Sequence, residues 1–210
     1  MTNFIPVFPL KIIVFPGEAL NLHIFEPRYK QMVNECISQK KGFGLPPVIN
    51  GVQQELGTYL EITELVAEHE DGTMDIRTKG LSVFRTLETI TDLPDKLFSG
   101  AIVNYPANVL TYGDDKLARL IVTEVKRLYE LLNVSEKFPV DTEMMLSYEI
   151  AHFVGLSLEQ EYELLSLFTE LHRLEYIRRH LNNMVPMIKE LEEMKARIKR
   201  NGHFRNLSLD

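Results

Sequence analysis

The sequence predicts an α+β protein with a strand-rich N-terminal lobe, residues 1–110, and a helical C-terminal lobe, residues 111–210. The first lobe contains short runs of β-branched and aromatic residues separated by turn residues, a pattern typical of strands. From about residue 114 the apolar residues instead recur at helical spacing. The expected architecture is therefore a small β-barrel or sandwich followed by an α-helical bundle with a basic C-terminal tail.

The first lobe holds its candidate strands close together in the chain, with turn signals between them. Asp71-Gly72 stands between two strand patterns and is a hairpin signal, because Asp and Gly tolerate the positive φ angles of a tight turn. Pro16-Gly17 is a second turn dipeptide. The candidate strands are 4–8, 11–15, 20–25, 43–49, 57–68, 73–79, 81–90 and 98–105.

One helix is predicted inside the first lobe, over about residues 27–39. Pro27 favours a helix start, because the first helical N–H has no partner within the helix. The apolar face of this helix should lie against the strands. Its members are Tyr29, Met32, Val33 and Cys36. Cys36 is therefore expected to be a buried structural thiol rather than a nucleophile.

The second lobe begins with a long apolar stripe that predicts a first helix. This stripe contains Leu117, Leu120, Ile121, Val125, Leu128, Leu131 and Leu132. A second helix is expected over 142–154, with Gly155 just beyond its C-terminal end. Ser157 and Gln160 form a capping box that should start a third helix.

The C-terminal part of this lobe keeps helical spacing on both sides of a proline. Pro186 is expected to kink or interrupt the helix, while residues 187–200 still show helical spacing. The segment 195–205 contains no acidic residue and forms a basic tail. Its cations are Lys195, Arg197, Lys199, Arg200 and Arg205. They fit either a solvated helix end that complements the helix dipole or a surface for an acidic partner.

Composition excludes several classes of function. The net charge of −7 disfavours general nucleic-acid binding, which requires a basic surface to neutralise phosphates. Cys36 is the single cysteine, so an internal disulfide is impossible and a reducing compartment is expected. No apolar run is long enough to span a membrane and no leader pattern precedes the first strand, which predicts a cytoplasmic protein.

No catalytic, cofactor-binding or metal-binding residue is predicted. The pattern Gly-x-x-x-x-Gly-Lys-[Ser/Thr] of a phosphate-binding loop is absent from the sequence. The histidines are His23, His69, His152, His172, His180 and His203. None of them forms a His-x-x-x-His pair, and His172 and His180 lie too far apart on one helix to chelate a single ion.

An ordered set of residues near the N-terminus resembles the opening of the Lon N-terminal domain, the substrate-binding domain of ATP-dependent Lon proteases. The matching residues are Pro9, Leu10, Phe15, Pro16, Gly17, Leu20, Leu22, Ile24, Phe25, Glu26, Arg28 and Tyr29. The resemblance covers about residues 4–185 and departs from the family at Pro46-Pro47 and Val83. It implies a β-barrel like that of pseudouridine synthase and archaeosine transglycosylase (PUA-like), and a helix break near Phe168-Thr169.

The resemblance implies a non-enzymatic module that recognises polypeptides, in a stand-alone form without ATPase or peptidase modules. Such a module would bind unfolded or degron-bearing clients and act as an adaptor for protein quality control or proteolysis. The expected partner-binding residues are Glu26, Arg28 and Tyr29, at the edge of a groove between the lobes. Their structural alternative is that Glu26 caps or pairs, Arg28 bridges to a strand and Tyr29 packs. RNA binding is the alternative function, because PUA-like barrels often bind RNA.

Overall fold

The structure is a computed structural model that describes residues 3–111, 114–138 and 143–202. The chain divides into two compact units. Unit 1 comprises Met1–Thr111 together with Leu156–Thr169, and unit 2 comprises Tyr112–Gly155 together with Glu170–Asp210. No helix within the described residues is long and apolar enough to cross a membrane.

Unit 1 is built on an antiparallel sheet whose strands follow one another in the order β1-β8-β7-β6-β3, with β2 paired to β7. The strands are β1 Asn3–Pro6, β2 Ala19–Ile24, β3 Phe43–Leu45, β4 Val48–Ile49, β5 Val52–Gln53, β6 Leu56–Glu68, β7 Met74–Ile90 and β8 Gly100–Asn104. A separate small hairpin pairs β4 with β5. Two isolated parallel bridges, Val7–Gly44 and Leu10–Pro47, link the segment that follows β1 to β3 and the residues after it. The strands within the described residues form an antiparallel sheet, and the predicted PUA-like closed barrel is not confirmed.

The predicted strand 11–15 is wrong, although its apolar residues are buried. The segment forms no strand, and its backbone bonds to side chains instead. Phe15 N donates to Glu18 Oε2 at 2.8 Å, and Thr58 Oγ1 donates to Val14 O. These bonds give two buried backbone groups of the segment a side-chain partner in place of a ladder partner, so apolar content alone did not decide the local structure.

The two strands predicted over 73–79 and 81–90 are one strand, β7, which runs through Gly80. A Cβ atom at Gly80 would lie 2.4 Å from the Phe15 carbonyl oxygen, so only glycine lets the strand continue there. The ladder with β6 shifts register at this point, between Tyr59 and Leu60. Glycine here marks a bulge and a close backbone approach rather than a turn.

Helix α1, Pro27–Gln39, has the predicted bounds and buries the predicted face. Tyr29, Met32, Val33 and Cys36 are all buried. They share one apolar core with the sheet, whose other buried members are Phe8, Val14, Ile24, Phe43, Leu45, Leu60, Met74, Ile76 and Phe98. The predicted hairpin is also confirmed, since Asp71 and Gly72 lie in the tight connection between β6 and β7.

The remaining helices are α2 Asp115–Leu131, α3 Ser147–Ile150, α4 Leu158–Leu165 and α5 Glu170–Gly202. Side-chain hydrogen bonds cap the N-terminal ends of three of them, α2, α3 and α4. Ser157 and Gln160 form the predicted capping box at the start of α4. The helix expected over 142–154 is shorter than predicted, because Glu149 accepts from Leu146 N at 2.7 Å and sets the start of α3 at Ser147.

Helix α5 runs from Glu170 to Gly202 without interruption, so the interruption predicted at Pro186 is wrong, whereas the helix predicted over residues 187–200 is confirmed. The predicted break between α4 and α5 is confirmed and spans residues 166–169. Helix α4 belongs to unit 1, where Tyr162 Oη accepts from Leu56 N at 3.2 Å. In unit 2, α2 packs on α5. Arg205 and His203 lie outside the described residues, so the role of the basic tail stays a prediction.

Candidate functional site

The three residues that sequence analysis singled out lie together at the N-terminal end of α1. Glu26 is the N-cap residue and its carbonyl accepts from Tyr29 N and Lys30 N at 3.0 Å each. The Arg28 guanidinium donates to Glu26 Oε2 from Nε at 3.0 Å and from Nη2 at 2.7 Å. Both side chains are largely exposed, at 51% for Arg28 and 40% for Glu26. They form a surface ion pair that does not bridge to a strand.

Tyr29 links this ion pair to the core of unit 1. Its ring stacks on Phe8 with 3.8 Å between the ring centroids, and the Arg28 guanidinium lies 4.5 Å from the Tyr29 centroid. Burial raises the pKa of the Tyr29 hydroxyl, and the Arg28 charge opposes that shift in pKa. Tyr29 is therefore a packed residue that supports Arg28 from below, and the exposed groups are Glu26 and Arg28.

A cavity of about 240 Å³ opens beside the same helix, and we call it the α1 cavity. It is lined by Phe4, Pro6, Met32, Glu35, Cys36, Gln39, Lys41, Leu93, Pro94, Lys96 and Phe98. The lining comes from three segments of unit 1: strand β1, the middle and C-terminal part of α1 with the residues after it, and the loop that precedes β8. Glu26, Arg28 and Tyr29 lie at the other end of α1 and do not line this cavity.

Three polar contacts hold the loop of residues 92–98 against α1. Gln31 donates from Nε2 to the Asp95 carbonyl at 2.9 Å and accepts from Leu97 N at 2.7 Å. Lys96 Nζ donates to Glu35 Oε1 at 2.7 Å. These contacts fix one wall of the α1 cavity before any ligand binds, so binding there would cost little ordering of the loop.

The floor of the α1 cavity offers apolar contact and an inert thiol. Met32 and Cys36 are buried, and the Cys36 thiol lies 3.6 Å from the Gly42 carbonyl oxygen. Burial raises the pKa of the Cys36 thiol to about 12, so the thiolate is scarce at neutral pH. Cys36 is therefore buried, as predicted, and the cavity is suited to holding an apolar group.

The loop that supplies Leu93, Pro94, Lys96 and Phe98 to the α1 cavity was not predicted from the sequence. Leu93 and Pro94 are apolar residues that lie among Asp92, Asp95 and Lys96, with no strand or helix period to single them out, and Phe98 was predicted only as the first residue of a strand. Their association with α1 depends on the long-range contacts of Gln31 and Glu35. The sequence around Gln31 and Glu35 does not indicate that these two residues contact a loop about 60 residues further along the chain.

Comparison with known proteins gives one family. The family model of the ATP-dependent protease La (LON) substrate-binding domain matches residues 5–183. The match therefore includes the sheet of unit 1, helices α1 to α4 and the N-terminal part of α5.

Two solved structures have the same fold. A Lon N-terminal domain protein from Xanthomonas campestris matches with a TM-score of 0.65 and 22% identity, over 84% of this chain and 98% of that one. The N-terminal domain of the Mycobacterium avium complex Lon protease matches with a TM-score of 0.62 and 14% identity, over 86% of this chain and 98% of that one. At these identities the similarity shows the fold alone.

A curated relative is protein cereblon of Xenopus tropicalis, which is 35% identical over 92 residues. The aligned segment is 41% of this chain and 21% of cereblon, so the chain spans about a fifth of that relative's length.

Proposed function

Because the chain belongs to the LON substrate-binding domain family, we propose that unit 1 recognises polypeptides by taking one apolar side chain into the α1 cavity. The observation that carries this proposal is the cavity itself, which has an apolar floor and a rim of polar and charged groups. An apolar floor favours burial of a hydrophobic side chain. The rim groups Glu35, Gln39 and Lys96 can contact the polar backbone on either side of it.

The size of the α1 cavity supports an anchor side chain over a small-molecule cofactor. Pockets for drug-sized ligands usually measure about 300–1,000 Å³. The α1 cavity is smaller, at about 240 Å³. A cavity of this size suits a single leucine, methionine or phenylalanine side chain of an extended chain, as in the recognition modes that combine backbone contacts with side-chain pockets.

The proposed activity is binding without catalysis. The thiol in the floor has a pKa raised to about 12 by burial, which suits packing and not nucleophilic attack. Glu35 is held in an ion pair with Lys96 at 2.7 Å. The lining groups therefore favour contact with a client over chemistry on it.

We propose unfolded or degron-bearing polypeptides as the clients, and an adaptor role in protein quality control or proteolysis. Membership in a substrate-binding domain family and the partial similarity to cereblon support this part of the proposal. Glu26, Arg28 and Tyr29 are proposed as a flanking contact for the same clients. A surface ion pair of this kind contributes to the association rate more than to the affinity.

The test is the binding of a fluorescently labelled unfolded client, such as reduced carboxymethylated casein, followed by fluorescence anisotropy. Gln39→Trp places a bulky side chain at an exposed position on the cavity rim. If the cavity anchors the client, the substitution removes the burial of one apolar side chain, about 1.5–3 kcal/mol. We therefore expect the Kd to rise by about 10- to 150-fold.

The matched control is Asn34→Trp, an exposed position on α1 that does not line the cavity. We expect this variant to bind casein like the wild type. Equal affinity of both variants would overturn the cavity as the client site.

RNA binding is tested in the same assay. Residues 1–110 carry nine Lys and Arg against thirteen Asp and Glu, so we expect a generic RNA to bind more weakly than casein. Tighter binding of RNA, with a steep loss of affinity between about 50 and 200 mM salt, would favour the nucleic-acid function instead.

A further inference from the structure

Two histidine side chains and one aspartate side chain meet near the tip of the β6–β7 hairpin. His23 on β2 stands directly opposite Asp75 on β7 in the strand register. His69 follows the last residue of β6. His23 Nδ1 lies 2.7 Å from Asp75 Oδ1, and His69 Nε2 lies 2.8 Å from Asp75 Oδ2. One carboxylate thus lies between two imidazoles, one from strand β2 and one from the connection between β6 and β7.

The hairpin fixes the backbone that presents this cluster. His69 N donates to Thr73 O at 2.8 Å, and Gly72 N donates to His69 O at 2.8 Å. Asp71 Oδ1 accepts from Thr73 N at 2.9 Å and from Thr73 Oγ1 at 2.8 Å. The turn is therefore closed by four hydrogen bonds, which hold His69 beside β7 on a rigid element.

The cluster has the composition and spacing of a metal site. One potential ligand atom from each of His23, His69 and Asp75 lies within 4.8 Å of the other two. Tetrahedral ligands at zinc bond lengths of about 2.0–2.1 Å stand about 3.3 Å apart. The present contacts of 2.7 and 2.8 Å need to widen only slightly. The side chains are 55%, 47% and 40% exposed, in that order, so they can move apart without disturbing the core.

We propose that His23, His69 and Asp75 bind a divalent transition-metal ion of the Zn²⁺ class, with water in the remaining position. Two imidazoles and one carboxylate suit Zn²⁺, Ni²⁺ or Cu²⁺, whereas Mg²⁺ and Ca²⁺ prefer sites made of oxygen ligands. The metal replaces the two imidazole–carboxylate hydrogen bonds. Each neutral imidazole then presents a nitrogen lone pair to the ion and keeps its proton on the other ring nitrogen.

The bound ion would join strand β2 to the β6–β7 hairpin. The ladder pairing of β2 within the described residues is with β7. A metal held by His23, Asp75 and His69 therefore adds a second link at the end of β2, and it binds the folded chain in preference to the unfolded one. Metal binding should then raise the melting temperature.

The experiment titrates Zn²⁺ into tag-free, metal-stripped protein in competition with a chromophoric chelator. The wild type should bind one ion per chain, and 1 mM Mg²⁺ should not displace it. His69→Gln and Asp75→Asn remove one ligand each while keeping a polar side chain of similar size. We expect either substitution to weaken Zn²⁺ binding by at least about tenfold, since even outer-shell partners of a metal commonly contribute that much.

The matched control is His172→Gln, which removes an exposed histidine of α5 outside the cluster. It should leave both the stoichiometry and the affinity unchanged. Far-UV circular dichroism of the metal-free variants establishes that each is folded. His23→Gln provides a third ligand variant in case Asp75→Asn unfolds.

Co²⁺ provides an independent readout, because its visible absorption reports tetrahedral coordination. This absorption should appear with the wild type and with His172→Gln, and disappear with His69→Gln. Binding that is unchanged in the ligand variants, or lost equally in His172→Gln, would overturn the proposed site. The outcome does not depend on client binding, because the α1 cavity includes none of these residues.

Discussion

Each unit of the molecule contains a cluster of one glutamate, one arginine and one buried tyrosine with nearly the same contacts, but the Glu–Arg ion pair is exposed in unit 1 and buried in unit 2. In unit 1, Arg28 pairs with Glu26 at 2.7 Å and lies 4.5 Å from the Tyr29 centroid. In unit 2, Arg173 pairs with Glu170 at 2.8 Å and lies 4.2 Å from the ring centroid of a tyrosine, Tyr148. Arg28 is 51% exposed, whereas Arg173 is fully buried.

Burial makes the Glu–Arg ion pair of unit 2 depend on its neighbours in a way that the exposed ion pair of unit 1 does not. In the buried cluster of unit 2, Ser147 completes the hydrogen bonding: its N and Oγ donate to the Glu170 carboxylate at 2.7 Å each. Ser147 Oγ also accepts from Arg173 Nε at 2.8 Å. A buried charge must be paired and hydrogen-bonded, so each partner depends on the others. In unit 1 the exposed carboxylate of Glu26 and the exposed guanidinium of Arg28 can replace their mutual hydrogen bonds by hydrogen bonds to water.

The two cores differ accordingly. Among the described residues of unit 1, the fully buried polar side chains are those of Thr58 and Thr78, and each donates to a backbone carbonyl oxygen. Unit 2 instead buries a carboxylate and a guanidinium beside its apolar helices. We infer that unit 1 is stabilised chiefly by apolar burial, and that unit 2 also depends on a charged network.

The largest expected effect comes from breaking the buried cluster. Arg173→Met keeps much of the side-chain volume but leaves the Glu170 carboxylate buried and unpaired. We expect the free energy of unfolding to fall by about 3–5 kcal/mol, the usual cost of removing one partner of a buried pair. Urea unfolding followed by far-UV circular dichroism measures it, and amide hydrogen exchange should show the loss in α3 and in the first turns of α5.

The same helix offers a matched control with the same sequence spacing. Arg178 pairs with Glu175 at 2.8 Å, but both side chains are more than a third exposed. Arg178→Met should therefore cost no more than about 1 kcal/mol. Equal losses for Arg173→Met and Arg178→Met would show that burial does not separate these two pairs.

The next largest effect tests the apolar core of unit 1. Met32 is fully buried on the inner face of α1, and Met32→Ala removes apolar contact and leaves a void. We expect the free energy of unfolding to fall by about 2–5 kcal/mol. Hydrogen exchange should place the loss in α1 and in the strands it covers.

Met187→Ala is the control for this second prediction, because Met187 is 70% exposed on α5. It should change stability by no more than about 0.5 kcal/mol. A wild-type melting temperature for Met32→Ala would mean that α1 contributes little to the core of unit 1.

The elements that local patterns determine were predictable from the sequence. The face of α1 follows from helical spacing, and the start of α4 follows from Ser157 and Gln160. The α+β class and the family also followed from the residues. Strand continuity through Gly80 was not predictable, because it depends on the approach of the Phe15 carbonyl from elsewhere in the chain.

The sites were harder to predict than the elements because they depend on register and burial. His23 and Asp75 are 52 residues apart in sequence and become neighbours only through the pairing of β2 with β7. Glu170 and Arg173 have the spacing of an ordinary surface ion pair, so nothing in the local sequence distinguishes them from Glu175 and Arg178. Of the structural alternative for the three residues near the start of α1, the pairing of Glu26 and the packing of Tyr29 are found, whereas Arg28 pairs with Glu26 and not with a strand. Their role in client binding stays a prediction.

The smallest expected effect comes from the exposed cluster, and it is the counterpart of the first prediction. Arg28→Met makes the same change as Arg173→Met but at a guanidinium that water already solvates. An exposed ion pair contributes at most about 1 kcal/mol, and an exposed cation–π contact about 0.5–1 kcal/mol. We therefore expect a loss of about 0.5–1.5 kcal/mol in the free energy of unfolding.

Arg77→Met is the control for the aromatic contact. Arg77 forms an exposed ion pair with Glu64 at 2.5 Å, between strands β7 and β6. The excess loss in Arg28→Met over Arg77→Met measures the contribution of the Tyr29 ring.

In the casein assay Arg28→Met should slow association more than it speeds dissociation, since an exposed charge acts mainly on encounter. A loss of 3 kcal/mol or more, or a dissociation rate raised as strongly as by Gln39→Trp, would mean that Arg28 is part of a desolvated contact. The two Glu–Arg–Tyr clusters would then differ less in energy than their exposure indicates.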